Sequence, residues 1–372
     1  MAGRVKVQDF ISAIVFAGIC VFLYFLDLHP KEADGAGQKC SAKVLDADNS
    51  SVEEIGILKK GFQSLKVEIL GGSFKGEIFE AKNILRAQMD LDKMFKRGDR
   101  VWVSILNGSD PKVDSINAQD YYRKDLTVVL FSVFAMLLVA FGGFVGFKAL
   151  LSFVLTCFVI WKLVVPLCLM GYSAVWISLL AVFVLTGAIL FLVAGFTRKG
   201  ITAFTGAMAG VFASCLMASV FTKLFSINGA VMPFSQALLY SGYEHLNLSE
   251  LFIGGIFLSS SGAVMDLSMD VAAGMQEVYL RDKNISFREL VSAGLRMGRS
   301  VVGTMSTTLL LAYAGGYLTL MMAFLAQGTS PDDFINNPYV ASECVKTIVG
   351  SFGLVLVAPL TALAGGFLIR KF

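Results

Sequence analysis

Long uninterrupted apolar runs occupy most of the chain, and one polar segment separates the first run from the others. A bilayer core of about 30 Å is crossed by roughly 20 apolar residues in a helix. Runs of that kind predict eight transmembrane helices, near residues 10–26, 126–147, 149–170, 174–196, 201–224, 251–275, 301–326 and 345–369. The 226–250 segment is too polar to cross a membrane.

Composition supports a membrane protein and excludes two other classes. Of the 372 residues, 56% are hydrophobic and 16% charged, and the mean hydropathy is +0.70. A soluble domain of this length carries about 25% charged residues. The net charge of +3 is too small for a nucleic-acid-binding protein.

The polar segment at residues 40–115 predicts a small β domain. Its apolar and polar residues alternate at 67–70, 77–80 and 101–105, and Gly71-Gly72-Ser73 predicts a hairpin between the first two strands. This spacing is typical of a small OB- or SH3-like β-barrel. Whether the barrel binds a ligand or partner, or only caps the membrane domain, stays open.

Basic residues predict the orientation, because cytoplasmic loops are enriched in Lys and Arg. The densest cluster between spans lies in the 280–300 loop, and Arg4, Lys6 and Arg370-Lys371 flank the first and last spans. The 328–344 loop is acidic. We therefore expect both termini in the cytoplasm and the barrel on the extracytoplasmic side. The predicted domains are an anchor helix (1–27), a β domain (40–115) and a seven-helix membrane domain (124–372).

The sixth predicted span carries an unusual acidic face. Residues three or four apart share one side of a helix. On this side lie only small and acidic residues, which we call the acidic face: Gly255, Ser259, Gly262, Asp266, Asp270, Ala273 and Glu277. The opposite side is nearly all apolar.

An acidic face of this kind is costly to expose to lipid. Each Asp at a helix centre costs about 2.5–3.5 kcal/mol to insert, and the two together cost up to ~7 kcal/mol, which exceeds the roughly 3–5 kcal/mol gained from nine apolar residues of the same span. We therefore expect the face to look into the helix bundle. Asp266 and Asp270 would then form a cation or proton site, or would only be hydrogen-bonded by neighbouring hydroxyls. Ser259, Ser261 and Gly262 of this span and Thr304 and Thr308 of the next are the expected surroundings.

Further patterns bear on these spans. The Gly254-Gly255 pair and the 259–262 run predict a helix break in mid-membrane. Ser286 and Glu289 have capping-box spacing, which predicts the start of a short helix. Gly206 and Gly210 match the GxxxG pattern of close helix contacts. No nucleophile–base pair, metal-ligand spacing or cofactor motif is visible, so we expect neither an enzyme nor a cofactor, and whether a metal binds stays unknown.

The same segments resemble a known family. Residues 261–266, Gly303-Thr304-Met305 and 308–316, together with 74–77 and 97–101 of the polar segment, are similar to the YibE/F-like family of bacterial multi-pass membrane proteins. Asp266 matches the acid of the family motif. The resemblance implies a bacterial inner-membrane location and a permease-like architecture, but no substrate.

Two functional hypotheses follow. The first is a secondary transporter or exporter of a small solute or ion that is coupled through Asp266. The second is a non-transporting membrane scaffold or assembly factor whose β domain binds a partner. Expected partners are the lipid bilayer and a small solute, proton or cation, a homo-oligomer is left open, and nucleic acid is excluded.

Overall fold

The computed structural model describes residues 7–26, 28, 38–105 and 116–371, and Arg4, Lys6 and His29 lie outside them. The chain is mostly helical, with an N-terminal barrel. It divides into two compact units, one of residues 31–137 and one of residues 1–30 with 138–372. Each unit is described by itself.

The first unit is a closed five-stranded barrel. The described residues of the unit form six strands, five of which make the barrel: β1 (Gln38–Asp48), β2 (Val52–Ile55), β3 (Leu58–Ile69), β4 (Ile78–Arg86), β5 (Arg100–Ile105) and β6 (Ile116–Tyr121). The ring runs β1-β5-β6-β4-β3 and closes through β1–β3, while β2 forms a hairpin arm on β3. Only the β4–β6 pair is parallel, which gives the strand order of an OB-type Greek-key barrel. The expected 67–80 hairpin is present, and the last strand lies beyond residue 115.

The barrel core follows from strand alternation, because every second side chain points inward. Val44, Val67 and Val103 are completely buried. One buried polar residue, Gln63, joins the segment before β5 to the barrel. Its Nε2 donates to the Phe95 carbonyl at 2.7 Å, and its Oε1 accepts the Phe95 N–H at 3.1 Å. This reciprocal pair satisfies the amide and holds the buried Phe95 ring in the core.

Charged groups close the end of β6. Asp120 lies 2.8 Å from Arg123, and its carboxylate also accepts the Tyr121 N–H. The hydrogen bond from Arg123 holds the pKa of Asp120 below its usual value, with smaller contributions from Tyr121 and Lys93. The pair therefore stays charged near neutral pH.

The remaining elements are helical. They are α1 (Val7–Phe25), α2 (Lys124–Val159), a π-helical turn (Ile160–Val164), α3 (Val165–Leu169), α4 (Ala174–Ala194), α5 (Arg198–Leu224), α6 (Ser235–Tyr240), α7 (Leu248–Arg281), α8 (Phe287–Gly316), α9 (Leu318–Ala326), α10 (Pro331–Asn336) and α11 (Pro338–Lys371). The capping box of Ser286 and Glu289 is present, but it starts the whole of α8 rather than a separate short helix.

Several of these helices are long and apolar enough for membrane insertion. In the described part of the chain five helical segments qualify, or six if α8 and α9, which meet at 59°, form one span. This count falls short of the expected eight for two reasons. The second and third expected spans lie within one helical segment, Lys124–Leu169, and the apolar part of α1, Ala13–Phe25, is short.

The Lys124–Leu169 segment is not one straight helix. Gly143 adopts φ +55° and ψ −131°, a conformation outside the helical region that favours glycine. A Cβ built on Gly146 would collide with the carbonyl oxygen of Leu138, which a straight helix would place about 12 Å away along its axis. The break therefore falls at Gly143 and not at Lys148, where the sequence predicts a turn between spans. Lys148 itself is buried.

Helices α5, α7, α8 and α11 pack around the main apolar core of the second unit. Close contacts between α5 and α11 depend on small residues. A Cβ on Gly206 would collide with Thr361, and one on Gly210 would lie 3.0 Å from Val357 Cβ. The GxxxG pattern is thus used for packing within the chain.

Candidate functional site

The helix that carries the acidic face is continuous. Asn247 caps α7 by accepting the N–H of Glu250, and the helix runs unbroken to Arg281. The expected mid-helix break is therefore wrong. The serines of the 259–262 run turn back on their own helix, since Ser259 donates to Ile256 O at 2.9 Å and Ser261 to Leu258 O at 2.7 Å. Bonds of this kind satisfy hydroxyls without interrupting the helix.

The acidic face of α7 is exposed, contrary to the expectation that it looks into the bundle. Exposed residues recur along it at helical spacing: Gly255, Ser259, Gly262, Asp266, Asp270 and Glu277. Among the described residues, no hydrogen bond or ion pair reaches the carboxylate of Asp266 or of Asp270. The expected hydrogen bonds from neighbouring hydroxyls are absent there.

Packing on the opposite side of α7 explains this orientation. Phe257, Val264 and Leu267 are completely buried, and α7 contacts α4, α5, α8 and α11. Small residues permit the close approach, because a Cβ on Gly254 would lie 2.7 Å from the Ser178 hydroxyl. By contrast, a Cβ on Gly255 or Gly262 would meet nothing within 4 Å. Once the apolar side faces the core, the acidic face must lie on the surface of the bundle.

Helix α8 lies beside the acidic face. Ser259 Oγ and Tyr313 Oη are 2.8 Å apart, and a Cβ on Gly274 would collide with the side chain of Met297. These two contacts set an antiparallel register in which Asp266 is level with Ser306. The neighbouring turns of α8 expose further small and hydroxyl residues: Gly303, Thr304, Thr307 and Thr308. The two helices together present one open polar strip.

The predicted site residues are only partly brought together. Asp266, Asp270, Ser259 and Gly262 share the strip with Thr304 and Thr308. Both threonines donate to carbonyl oxygens of α8, at Val301 and Thr304, rather than to an aspartate. Ser261 is buried and does not belong to the strip.

Sequence reasoning missed Tyr313, which lies in the 308–316 motif. Its aromatic ring stands among the small residues at 312–316, and no spacing pattern identifies it as a partner of Ser259. Only the pairing of α7 with α8 places its hydroxyl there.

Two acidic groups on one strip do not make a metal centre by themselves. In the described ranges, no three His, Cys, Asp or Glu residues are grouped closely enough to hold a metal ion. The strip instead offers two carboxylates one helical turn apart, flanked by hydroxyls. Such groups can accept a proton or contact a hydrated cation.

Comparison with known families covers both units. The family model described as YibE/F-like protein matches residues 130–371, and the YibE/F family N-terminal domain matches residues 38–121. The chain belongs to the YibE/F-like family. The two matches include the whole barrel and every helix from α4 to α11. The family description names no substrate or reaction.

No curated protein and no solved structure matches the chain.

Proposed function

We propose that this YibE/F-like protein is a secondary transporter or exporter of a small solute or ion in the bacterial inner membrane. Its long apolar helices would span the membrane, up to eight in number, with both termini in the cytoplasm and the barrel on the opposite side. Asp266 would couple transport to a proton or cation. A homo-oligomer is compatible with this proposal.

The observation that carries the proposal is the open carboxylate of Asp266 on a long apolar helix. An Asp that faces lipid at the centre of a span costs about 2.5–3.5 kcal/mol, and Asp270 adds a similar amount. No basic side chain of the described residues pairs with either group. The strip therefore favours contact with water, a solute or another polar surface over contact with lipid.

The flanking residues suit a path for a small polar species. Gly262 and Gly303 leave space beside Asp266, since a Cβ on either would meet nothing within 4 Å. Thr304 and Thr308 expose hydroxyls near the level of Asp266. In this proposal Asp266 exchanges the coupling ion, Asp270 raises the local negative charge, and the hydroxyls contact the solute.

Ion flux through the reconstituted full chain tests the proposal. Proteoliposomes would report H⁺, Na⁺, K⁺ and Mg²⁺ entry with fluorescent indicators, for the wild type and for Asp266→Asn. We expect flux of at least one ion in the wild type and a loss of about tenfold or more in Asp266→Asn, because an amide cannot exchange a proton or carry charge.

Asp282→Asn is the matched control. Asp282 is the C-cap residue of the same helix and is exposed, so its flux should equal that of the wild type. Equal flux in Asp266→Asn, or no flux of any tested ion in the wild type, would contradict the proposal.

A second candidate function is a scaffold or assembly factor, and one observation on the barrel favours it. Apolar side chains lie exposed on strands β2, β3 and β4 and on the turns next to them, and this set is here called the barrel patch: Ile55, Ile57, Phe62, Ile84 and Met89. Phe62 and Ile84 are direct cross-strand neighbours. Patches of this kind mark protein–protein contacts.

A further inference from the structure

Two exposed arginines continue the polar strip along α8. Arg296 and Arg299 lie one to two turns before Gly303, and both are exposed. At about 100° per residue, they fall within about 80° of Gly303 and Thr307 around the helix, on a side here called the arginine side of α8. Arg296 donates to Ser292 Oγ of its own helix at 2.8 Å. Among the described residues, no carboxylate pairs with either arginine.

The acidic face of α7 carries carboxylates at the same heights. The two contacts that set the antiparallel register of α7 and α8 also fix these heights. Glu277 lies within two residues, or about 3 Å, of the level of Arg296, and Asp270 lies within about one turn of the level of Arg299. Both acids are exposed, and no ion pair within the described residues includes them. Opposite charges thus face outward at matching heights without pairing within the chain.

A second copy of the chain can pair these charges. Two copies in one membrane share an orientation, and a two-fold axis along the membrane normal preserves the height of every residue. Around such an axis, α7 of one copy meets α8 of the other, so each contact forms twice. Glu277 then meets Arg296 of the second copy, and Asp270 meets Arg299. Complementary charges of this kind select the partner and fix the register.

The two surfaces are also complementary in size. Leu310 is 51% exposed, lies on the arginine side of α8 and is level with Gly262 of α7. A Cβ on Gly262 or Gly303 would meet nothing within 4 Å, so each glycine leaves a recess on the surface. Such residues let helices approach closely in a membrane. Leu310 of one copy can therefore fill the recess at Gly262 of the other.

Lipid is a less favourable occupant of the strip than a second copy. Contact of Asp266 and Asp270 with hydrocarbon is costly, because lipid offers their carboxylates no partner. A second copy brings two arginines to one end of the acidic face. It also brings the hydroxyl group of Thr307 close to the level of Asp266.

We propose that the polar strip is a homodimer interface, in which the acidic face of α7 contacts the arginine side of α8 in the second copy. Glu277 pairs with Arg296 and Asp270 with Arg299 across this interface, and the second copy completes the surroundings of Asp266. The proposal rests on the membrane position of α7 and α8 in the proposed function, but it does not require ion flux.

Charge reversal and rescue in liposomes test the proposal on the full chain. Energy transfer between donor- and acceptor-labelled copies measures dimerisation at graded protein-to-lipid ratios. Glu277→Arg and Arg296→Glu should each weaken it by about tenfold or more, because each homodimer then contains two contacts between like charges. A mixture of the two variants should restore dimerisation, because one contact is reversed and the other is native. Ion pairs within one chain cannot produce this rescue.

Two charge reversals outside the interface are the matched controls. Glu244→Arg, before α7, and Lys223→Glu, in α5, change exposed residues and should dimerise as the wild type does. Gly262→Leu fills the recess without changing charge, and it should weaken dimerisation.

Wild-type monomers at every ratio would leave the strip to lipid or water and overturn the proposal. Unchanged dimerisation in both single reversals, or failure of their mixture to associate, would overturn it as well. Flux is measured separately, so a dimer without flux contradicts only the transport function, and flux through monomers contradicts only the dimer.

Discussion

At the scale of single residues, glycine has two different roles in the helical unit. Gly206 and Gly353 let backbones approach, because a Cβ on either would collide with Thr361 or Ser214 of the neighbouring helix. Gly255, Gly262 and Gly303 have open space where a Cβ would be. The first group therefore serves helix packing. The second group leaves the polar strip of α7 and α8 free of bulky side chains.

Substitution of Gly206 separates these roles. Gly206→Ala should lower the free energy of unfolding by about 1–3 kcal/mol, because the added methyl group overlaps Thr361 and its backbone. Gly255→Ala, with free space, should change it by no more than about 1 kcal/mol, in the stabilising direction expected for Ala in a helix. Denaturant titration in detergent, followed by circular dichroism, measures both, and equal losses would refute this assignment.

At the scale of elements, breaks and ends of helices decide where the functional groups lie. The Lys124–Leu169 segment breaks at Gly143, and α8 bends away from α9 at Tyr317. In contrast, α7 is continuous, although its glycines and serines favour a break. Packing of its apolar side against the neighbouring helices keeps it helical. The bend lies instead between α8 and α9, where the sequence predicts one continuous span.

The break at Gly143 can be tested with its neighbour as the control. Gly143→Ala should cost about 1–3 kcal/mol of unfolding free energy, because its positive φ is strained for any residue with a Cβ. Gly142 has no positive φ and no atom within 4 Å of an added Cβ, so Gly142→Ala should be nearly neutral. The same denaturant titration compares the two variants. A neutral Gly143→Ala would show that the conformation of the break is not required.

At the scale of the whole molecule, the chain joins a closed barrel to a helical unit with an open polar strip. Each unit exposes a surface that is suited to contact with another molecule: the barrel patch in one and the polar strip in the other. A transporter depends on the strip, whereas a scaffold depends on the patch. Variants of each surface therefore distinguish the two candidate functions.

Photo-crosslinking tests the role of the barrel patch in cells. With p-benzoylphenylalanine in place of Ile57, which is 80% exposed, the scaffold function predicts a discrete protein adduct. The same probe at Glu77, an exposed polar position, should give none. The adduct should persist in Asp266→Asn and disappear when Phe62 and Ile84 become Ser. Absence of an Ile57-specific adduct would remove the scaffold function.

Local physics makes much of this architecture predictable from the sequence. Apolar runs identified the long helices, alternation identified strands of the barrel, and the spacing of Ser286 and Glu289 identified the start of α8. Residues that resemble the YibE/F-like motifs identified the family, which the matches over both units confirm. Each of these signals depends on neighbours within a few turns or strands.

Tertiary packing decided what these signals leave open. The sequence showed that α7 has an acidic and an apolar side. Packing against α4, α5, α8 and α11 buries the apolar side and leaves the acidic side exposed. Similarly, the start of α11 at Pro338 and the bend at Tyr317 bring Glu343, Lys346 and Tyr317 together. Such contacts join residues far apart in the chain, and their free energy depends on shape and distance that no local pattern encodes.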